Sequence, residues 1–167
     1  MKKFLTMVLC AVIVLSMTAC KGPQNSSASV GGTGQVQIPN PFVSCEDLNN
    51  AAEIAGFEMT PPARLPNWVT DTEIRAMENK MIEIVYTGTE QQELRIRKAN
   101  GQDDISGQYG SFDTVEEIAV NDLTVTVKGS SGKINVAIWT VGDHAFSVVS
   151  KGGMEQEHIT DLISSIQ

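Results

Sequence analysis

The sequence has few residues of the kinds that most catalytic and metal sites use. Of its 167 residues, two are histidine and three are cysteine. The histidines, His144 and His158, are far apart, and neither an H-x-x-x-H nor a C-x-x-C spacing occurs. These absences argue against a transition-metal site and a histidine-assisted nucleophile. Asp and Glu are numerous enough to bind calcium, which stays a minor alternative, but no D-x-D-x-D-G loop occurs, so no metal or cofactor is expected. We interpret both histidines as surface or boundary residues.

Basic residues are also scarce. Lys and Arg together number 12 against 20 Asp and Glu, which gives a net charge of −8 at pH 7. Two of these bases, Lys2 and Lys3, lie in the N-terminal segment described next, so the rest of the chain has a net charge of −10. A surface with this charge is repelled by phosphate backbones, and nucleic acid is therefore not an expected partner.

The N-terminal apolar run is short for a membrane-spanning helix. Two lysines precede sixteen uncharged residues, Phe4 to Ala19, and Lys21 ends the run. A spanning helix needs about 20 apolar residues, whereas a cationic start followed by a shorter apolar run is typical of an export signal. We predict that residues 1–19 are a cleaved signal peptide. An uncleaved anchor or an ordinary secretory signal is the alternative.

The end of this segment, Met17-Thr18-Ala19-Cys20, resembles a bacterial lipobox, although the family pattern prefers Leu at the first position. The resemblance implies that Cys20 receives a diacylglyceryl group and becomes the first residue of the mature chain. Two or more acyl chains hold a protein stably at a bilayer. The expected location is the outer face of the cytoplasmic membrane, and the membrane is the first expected partner, through the lipid on Cys20.

The residues after the lipobox are predicted to form a tether and then one domain. Residues 20–40 are dominated by Gly, Ser, Gln and Asn, a composition that cannot bury enough apolar surface to fold. Residues 41–167 are numerous enough for a single domain with its own core. The domain retains only Cys45, so it has no internal disulfide. We interpret Cys45 as a partly buried helix residue.

Sequence periodicity predicts a helix near each end of this domain. Ser44 followed by two acids is typical of a helix start, and helical spacing continues to Gly56, which predicts a helix over about 45–55. A stripe of apolar residues predicts a second helix over about 154–166.

Between the helices, apolar residues alternate with a period of two. The pattern predicts strands over 71–78, 81–87, 93–98, 115–120, 123–128, 133–140 and 144–150. Short turns join most of them, which favours antiparallel pairing. The predicted fold is therefore α+β, a curved antiparallel meander sheet of about seven strands with an N-terminal and a C-terminal helix packed on one face.

Several short motifs accompany this order of elements. They are N-P-F at 40–42, A-G-F at 55–57, P-x-x-L-P at 62–66, I-R-K-A-N-G-Q-D-D-I-S-G-Q-Y at 96–109, V-T-V-K-G at 125–129 and A-I-W-T at 137–140. Together they are similar to motifs of a family of exported domains of unknown function from Gram-positive bacteria, which are often lipoproteins. The resemblance implies an exported domain and brings no activity with it.

The polar stretch from Arg95 to Gly110 holds the first candidate site. Arg95 and Arg97 share one face of a predicted strand, so they can hold a carboxylate in a bidentate fork or pair with Asp103 and Asp104. The alternative is that one of these aspartates caps a turn and that the arginines are solvated strand residues.

The two tryptophans are the second candidate. Trp68 or Trp139 can stack on a ligand such as a sugar ring, although tryptophan also serves as a core or edge anchor, and the strand position of Trp139 favours that role. Trp68 is therefore the tryptophan that we group with Arg95, Arg97, Asp103 and Asp104 as candidate ligand-binding residues.

These observations predict a non-catalytic binding or interaction module at the cell envelope. Its open sheet face or the loop up to Gly110 would meet an envelope protein or ligand. One alternative is a carrier that shelters an apolar ligand between sheet and helices. Another is a hydrolase that uses Asp103 and Asp104, although acids adjacent in sequence point apart on a strand.

Overall fold

The secondary structure follows the predicted alternation closely. The computed structural model describes residues 40–166, so Cys20, the predicted signal peptide and residues 20–39 of the predicted tether lie outside the described residues. In chain order the elements are β1 (Val43–Cys45), α1 (Leu48–Ala55), β2 (Asp71–Met77), β3 (Met81–Thr87), β4 (Glu93–Asn100), β5 (Thr114–Val120), β6 (Leu123–Ser130), β7 (Lys133–Val141), β8 (His144–Met154) and α2 (Gln156–Ser165). The predicted α+β class is confirmed.

All eight strands form one antiparallel sheet in the spatial order β1-β2-β3-β4-β8-β7-β6-β5. Two four-stranded meanders, β1 to β4 and β5 to β8, meet where β4 pairs with β8. Residues 101–113, here called the crossover loop, connect the meanders and bring β5 to the far edge. The sheet has one strand more than predicted because Val43–Cys45 pairs with β2.

Tight turns set the register of the hairpins. Asn79 and Asn121 adopt positive φ angles of 52° and 53°, a conformation that asparagine tolerates better than most residues. The first of these turns places Met77 opposite Met81, and the pairing continues until Arg75 lies opposite Glu83. The turn at Asn79 therefore sets the strand register that places Arg75 opposite Glu83.

The first helix begins later than the sequence predicts. Ser44 lies in β1, paired with Arg75, and Asp47 is the residue that caps α1. The Asp47 carboxylate accepts a hydrogen bond from the Asn50 backbone N–H at 2.8 Å. At the other end Gly56, with φ of 82°, closes the helix in the left-handed conformation that favours glycine.

One face of the sheet packs against both helices. Ile84 illustrates the layering, since it lies between Ile74 of β2 and Ile96 of β4. The strands and helices share one continuous apolar cluster, whose fully buried members include Ala51, Ala55, Ile82, Leu94, Val125, Val148 and Ile159. Fully burying one such large aliphatic side chain contributes about 1.5–3 kcal/mol relative to leaving it exposed. Neither helix in the described part of the chain has the length and apolar character needed to cross a membrane.

The opposite face of the sheet, here called the open face, lies beneath the crossover loop. Arg97 of β4 reaches the loop by donating from Nη1 to the Ile105 carbonyl at 2.7 Å. Lys128 of β6 donates from Nζ to Asp104 Oδ2 at 2.7 Å. Because both side chains project from this face, the loop crosses the open face on its way to β5.

Candidate functional site

A buried carboxylate surrounded by arginines occupies the open face. Glu83 of β3 lies directly opposite Arg75 on β2 and Arg97 on β4. Its side chain is fully buried, at 0% exposure. Arg75 donates from Nε to Glu83 Oε1 at 2.8 Å, and Arg97 donates from Nε to Glu83 Oε2 at 2.6 Å. Arg95 completes the set, with Nε 3.4 Å from Glu83 Oε2. We call these four residues the arginine cluster.

The rim of the arginine cluster balances its charge. Arg95 Nη2 lies 2.5 Å from Glu93 Oε1, and Arg75 Nη1 lies 3.9 Å from Glu73 Oε1. The guanidinium of Arg75 also lies 5.1 Å from the centroid of the Phe42 ring. Three cations thus face three carboxylates of the same chain. The fork predicted from sequence for Arg95 and Arg97 is occupied by the protein itself.

The aspartates of the crossover loop do not pair with the arginines. Asp104 accepts hydrogen bonds from the Ser106 backbone N–H at 2.9 Å and from Ser106 Oγ at 2.6 Å, in addition to the bond from Lys128. Burial alone would raise the pKa of Asp104, but the bonds from Lys128 and Ser106 outweigh it and lower the pKa below 3.8. Asp103 is exposed. The arrangement fits the turn-capping alternative for Asp104.

The loop is shaped to fit over the arginine cluster. Gly107 has a φ of 70°, and a Cβ atom there would lie 3.0 Å from Arg97 Nη1. Ser106, next to it, is fully buried. Further along the loop, Tyr109 is 88% exposed. That an envelope component contacts this loop or the open face stays a prediction.

Trp68 lines a cleft at the junction of β8 and α2, and none of the residues of the arginine cluster lines it. Its lining residues are Arg64, Leu65, Pro66, Asn67, Trp68, Lys133, Gly153, Met154, Glu155, His158, Asp161 and Leu162. We call it the Trp68 cleft.

The volume of the Trp68 cleft is about 600 Å³. Pockets of about 300–1,000 Å³ are typical of small-molecule sites. The lining of the Trp68 cleft combines apolar residues, Leu65, Trp68 and Leu162, with charged residues such as Arg64 and Glu155. Such a combination can hold a ligand that has both an apolar face and polar edges.

Close packing holds Trp68 in place. The Val69 backbone N–H donates to the Pro66 carbonyl at 3.2 Å, which closes a turn around Trp68. A Cβ atom at Gly88 would lie 2.9 Å from Trp68 Cε3 and 2.7 Å from the Trp68 carbonyl oxygen. The turn between β3 and β4 therefore needs a glycine so that the indole can pack against it. Half-buried Trp68 keeps part of its surface in the cleft.

The second tryptophan has a different environment. Trp139 is 2% exposed and stacks on Phe146, with ring centroids 5.3 Å apart and an interplanar angle of 11°. It lies in the apolar cluster, as the core-anchor alternative predicts. Within residues 40–166, no three His, Cys, Asp or Glu side chains come together in a group that could hold a metal ion.

Sequence reasoning missed the centre of the arginine cluster. Glu83 reads as a solvent-facing residue because it alternates with Ile82 and Ile84. The available signal was the register of two hairpins, which places Arg75 and Arg97 on either side of Glu83. A glutamate opposite two arginines on neighbouring strands indicates a buried ion cluster rather than a solvated face.

Comparisons of the chain with protein-family models, with curated proteins and with solved structures find no match. The resemblance to a family of exported domains accordingly stays a prediction, and the functional argument rests on the geometry.

Proposed function

We propose that this protein is a non-catalytic binding module held at the outer face of the cytoplasmic membrane by lipid on Cys20, and that the Trp68 cleft receives its ligand. The observation that carries the proposal is the cleft of about 600 Å³ with half-buried Trp68 in its wall. An aromatic side chain held rigidly in a concave site offers a large contact area at a low cost in conformational entropy.

The lining of the cleft favours a saccharide. The face of an indole ring accepts the apolar face of a sugar ring, while hydroxyl groups need hydrogen-bond partners around it. Asn67, Glu155 and Asp161 line the cleft and can supply such partners. The net charge of −8 disfavours a strongly anionic ligand, so a neutral or cationic saccharide of the cell envelope suits the site best.

The other functions considered from the sequence receive less support. Asp103 and Asp104, the acid pair of the hydrolase alternative, lie on the crossover loop and do not line the Trp68 cleft. Asp104 is bonded to Lys128 and Ser106, which is a structural role. The continuous apolar cluster between sheet and helices favours binding at the surface over carriage of an apolar ligand within the domain.

Titration calorimetry with soluble oligosaccharides tests the proposal. The full chain is held in phospholipid nanodiscs, with empty nanodiscs as the blank, and is titrated with linear tetrasaccharides of glucose or of N-acetylglucosamine. We expect at least one of them to bind, and Trp68→Ala to weaken that binding by about tenfold or more, because the stacking surface is lost. Trp68→Phe should retain part of the affinity.

Tyr109→Ala is the matched control, because Tyr109 is an exposed aromatic residue outside the cleft. It should leave the affinity unchanged. The proposal is wrong if neither tetrasaccharide binds, or if Trp68→Ala binds as tightly as the unmodified chain.

A further inference from the structure

Lys98 breaks the apolar pattern of the helix-facing side of the sheet. In β4 the residues Leu94 and Ile96 face the helices, and alternation places Lys98 on the same side. On the neighbouring strand β8, the residue directly opposite Lys98 is Phe146, a member of the apolar cluster. A cation at this position is unusual, because charged side chains are seldom placed among buried apolar residues without a pairing group.

The ammonium group of Lys98 has an incomplete set of partners. Nζ donates to the Glu58 carbonyl at 2.7 Å and lies 5.7 Å and 5.2 Å from the ring centroids of Phe57 and Phe146. Across residues 40–166, Lys98 makes no salt bridge to a carboxylate, although an ammonium can donate three hydrogen bonds. Burial lowers the pKa of Lys98, and the charge of Glu58 offsets this only in part.

A cleft of about 440 Å³ opens onto Lys98, here called the Lys98 cleft. Its apolar wall includes Leu123, Val141 and Phe146, together with Ile163 of α2 and Ile166, which follows α2. Asp122 and His144 also line it. None of these residues lines the Trp68 cleft, so the two clefts are separate sites.

We propose that the Lys98 cleft binds a small monocarboxylate with an apolar body. The carboxylate would accept hydrogen bonds from the Lys98 ammonium, and the body would lie against Leu123 and Val141. A charge-assisted hydrogen bond is stronger than a neutral one, and partial removal from water strengthens it further. Asp122 repels every negative charge that enters the cleft, so it disfavours a dicarboxylate more than a monoanion. This site is independent of the function proposed for the Trp68 cleft.

Equilibrium dialysis with radiolabelled phenylacetate tests the proposal. The full chain in phospholipid nanodiscs is compared with empty nanodiscs, and phenylacetamide serves as the uncharged probe of nearly the same shape. We expect phenylacetate to bind more tightly than phenylacetamide. Lys98→Met should weaken phenylacetate binding by about tenfold or more and leave phenylacetamide binding nearly unchanged. Lys151→Met, at an exposed lysine of β8, is the matched control and should bind like the unmodified chain.

A second variant protects the test against misfolding of Lys98→Met. Val141 is 48% exposed at the cleft, so Val141→Trp should block the cleft without disturbing the core, and should reduce the binding of both probes. The proposal is overturned if phenylacetate does not bind at about 10 mM. It is also overturned if Lys98→Met, folded by circular dichroism, binds phenylacetate as the unmodified chain does, or if Val141→Trp leaves binding intact.

Discussion

Arg97 and Glu83 lie opposite each other on β4 and β3, and Arg97 Nε donates to Glu83 Oε2 at 2.6 Å. A carboxylate removed from water is very costly unless charged partners surround it. The arginines on both sides therefore explain how a fully buried glutamate can lie at the centre of β3. Because the arginines are already paired with Glu83, the main role of the cluster is to hold β2, β3 and β4 together.

Glu83→Gln should destabilise the domain by about 3 kcal/mol, because the substitution leaves partly buried guanidinium groups without their central negative charge. The side chain keeps its size, so packing changes little. Urea unfolding followed by tryptophan fluorescence measures the loss. Glu73→Gln is the control, since Glu73 is about half exposed and lies 3.9 Å from Arg75; it should cost less than about 0.5 kcal/mol. Equal losses in the two variants would contradict a central role for Glu83.

The crossover loop should become less protected at low pH. The folded-state pKa of Asp104 is lowered, so its ionised form favours the folded loop at any pH above the unfolded value. That contribution is lost as the pH falls below 3.8 and through the folded-state pKa. The effect on global stability should be small, because the Asp104 side chain is 35% exposed and salt screens the bond to Lys128.

Hydrogen exchange of the loop amides measures this effect. At neutral pH, Asp104→Asn should increase exchange at residues 101–113 relative to the unmodified chain. Below the folded-state pKa of Asp104, the loop amides of the two proteins should exchange at the same rate, after correction for the intrinsic pH dependence of exchange. Identical loop exchange at neutral pH would show that the bonds of Asp104 do not hold the loop.

The first helix offers a test of which residue caps it. Asp47→Ala should cost about 1 kcal/mol, because the N–H of Asn50 loses its acceptor. Ser44→Ala should change the stability by less than about 0.5 kcal/mol, since Ser44 lies in β1 and caps nothing in α1. Urea unfolding of the two variants gives the comparison. A larger loss for Ser44→Ala would favour the start predicted from sequence.

Local patterns account for the parts of the fold that were predicted correctly. The strand from Met81 to Thr87 was predicted with its exact bounds, because β-branched and aromatic residues are frequent in it and turn residues, Asn79 and Gly88, lie on either side. The position of β5 was not predictable in this way. Its pairing with β6 is local, but its place at the far edge depends on β4 pairing with β8, and no local pattern records a contact so distant in sequence.

In the candidate sites, too, the correct predictions were those that depend on local sequence patterns. Arg95 and Arg97 were correctly placed on one face, because alternation along a strand fixes that relationship. Their partner was not predicted, since Glu83 comes from another strand and its burial depends on the whole sheet. Trp68 was selected by residue type alone. The cleft around it is built by α2 and the end of β8, which lie about 90 residues further along the chain.

The order of the strands divides the chain into two parts that are joined covalently at the crossover loop. Residues 40–100 hold β1 to β4 with α1, and residues 114–166 hold β5 to β8 with α2. A protease that cuts the exposed stretch near Tyr109 would sever the backbone and leave the sheet whole, because the β4–β8 ladder runs from Leu94 opposite Ser150 to Asn100 opposite His144. The nicked molecule would keep its native mass in solution and separate into two fragments only when unfolded.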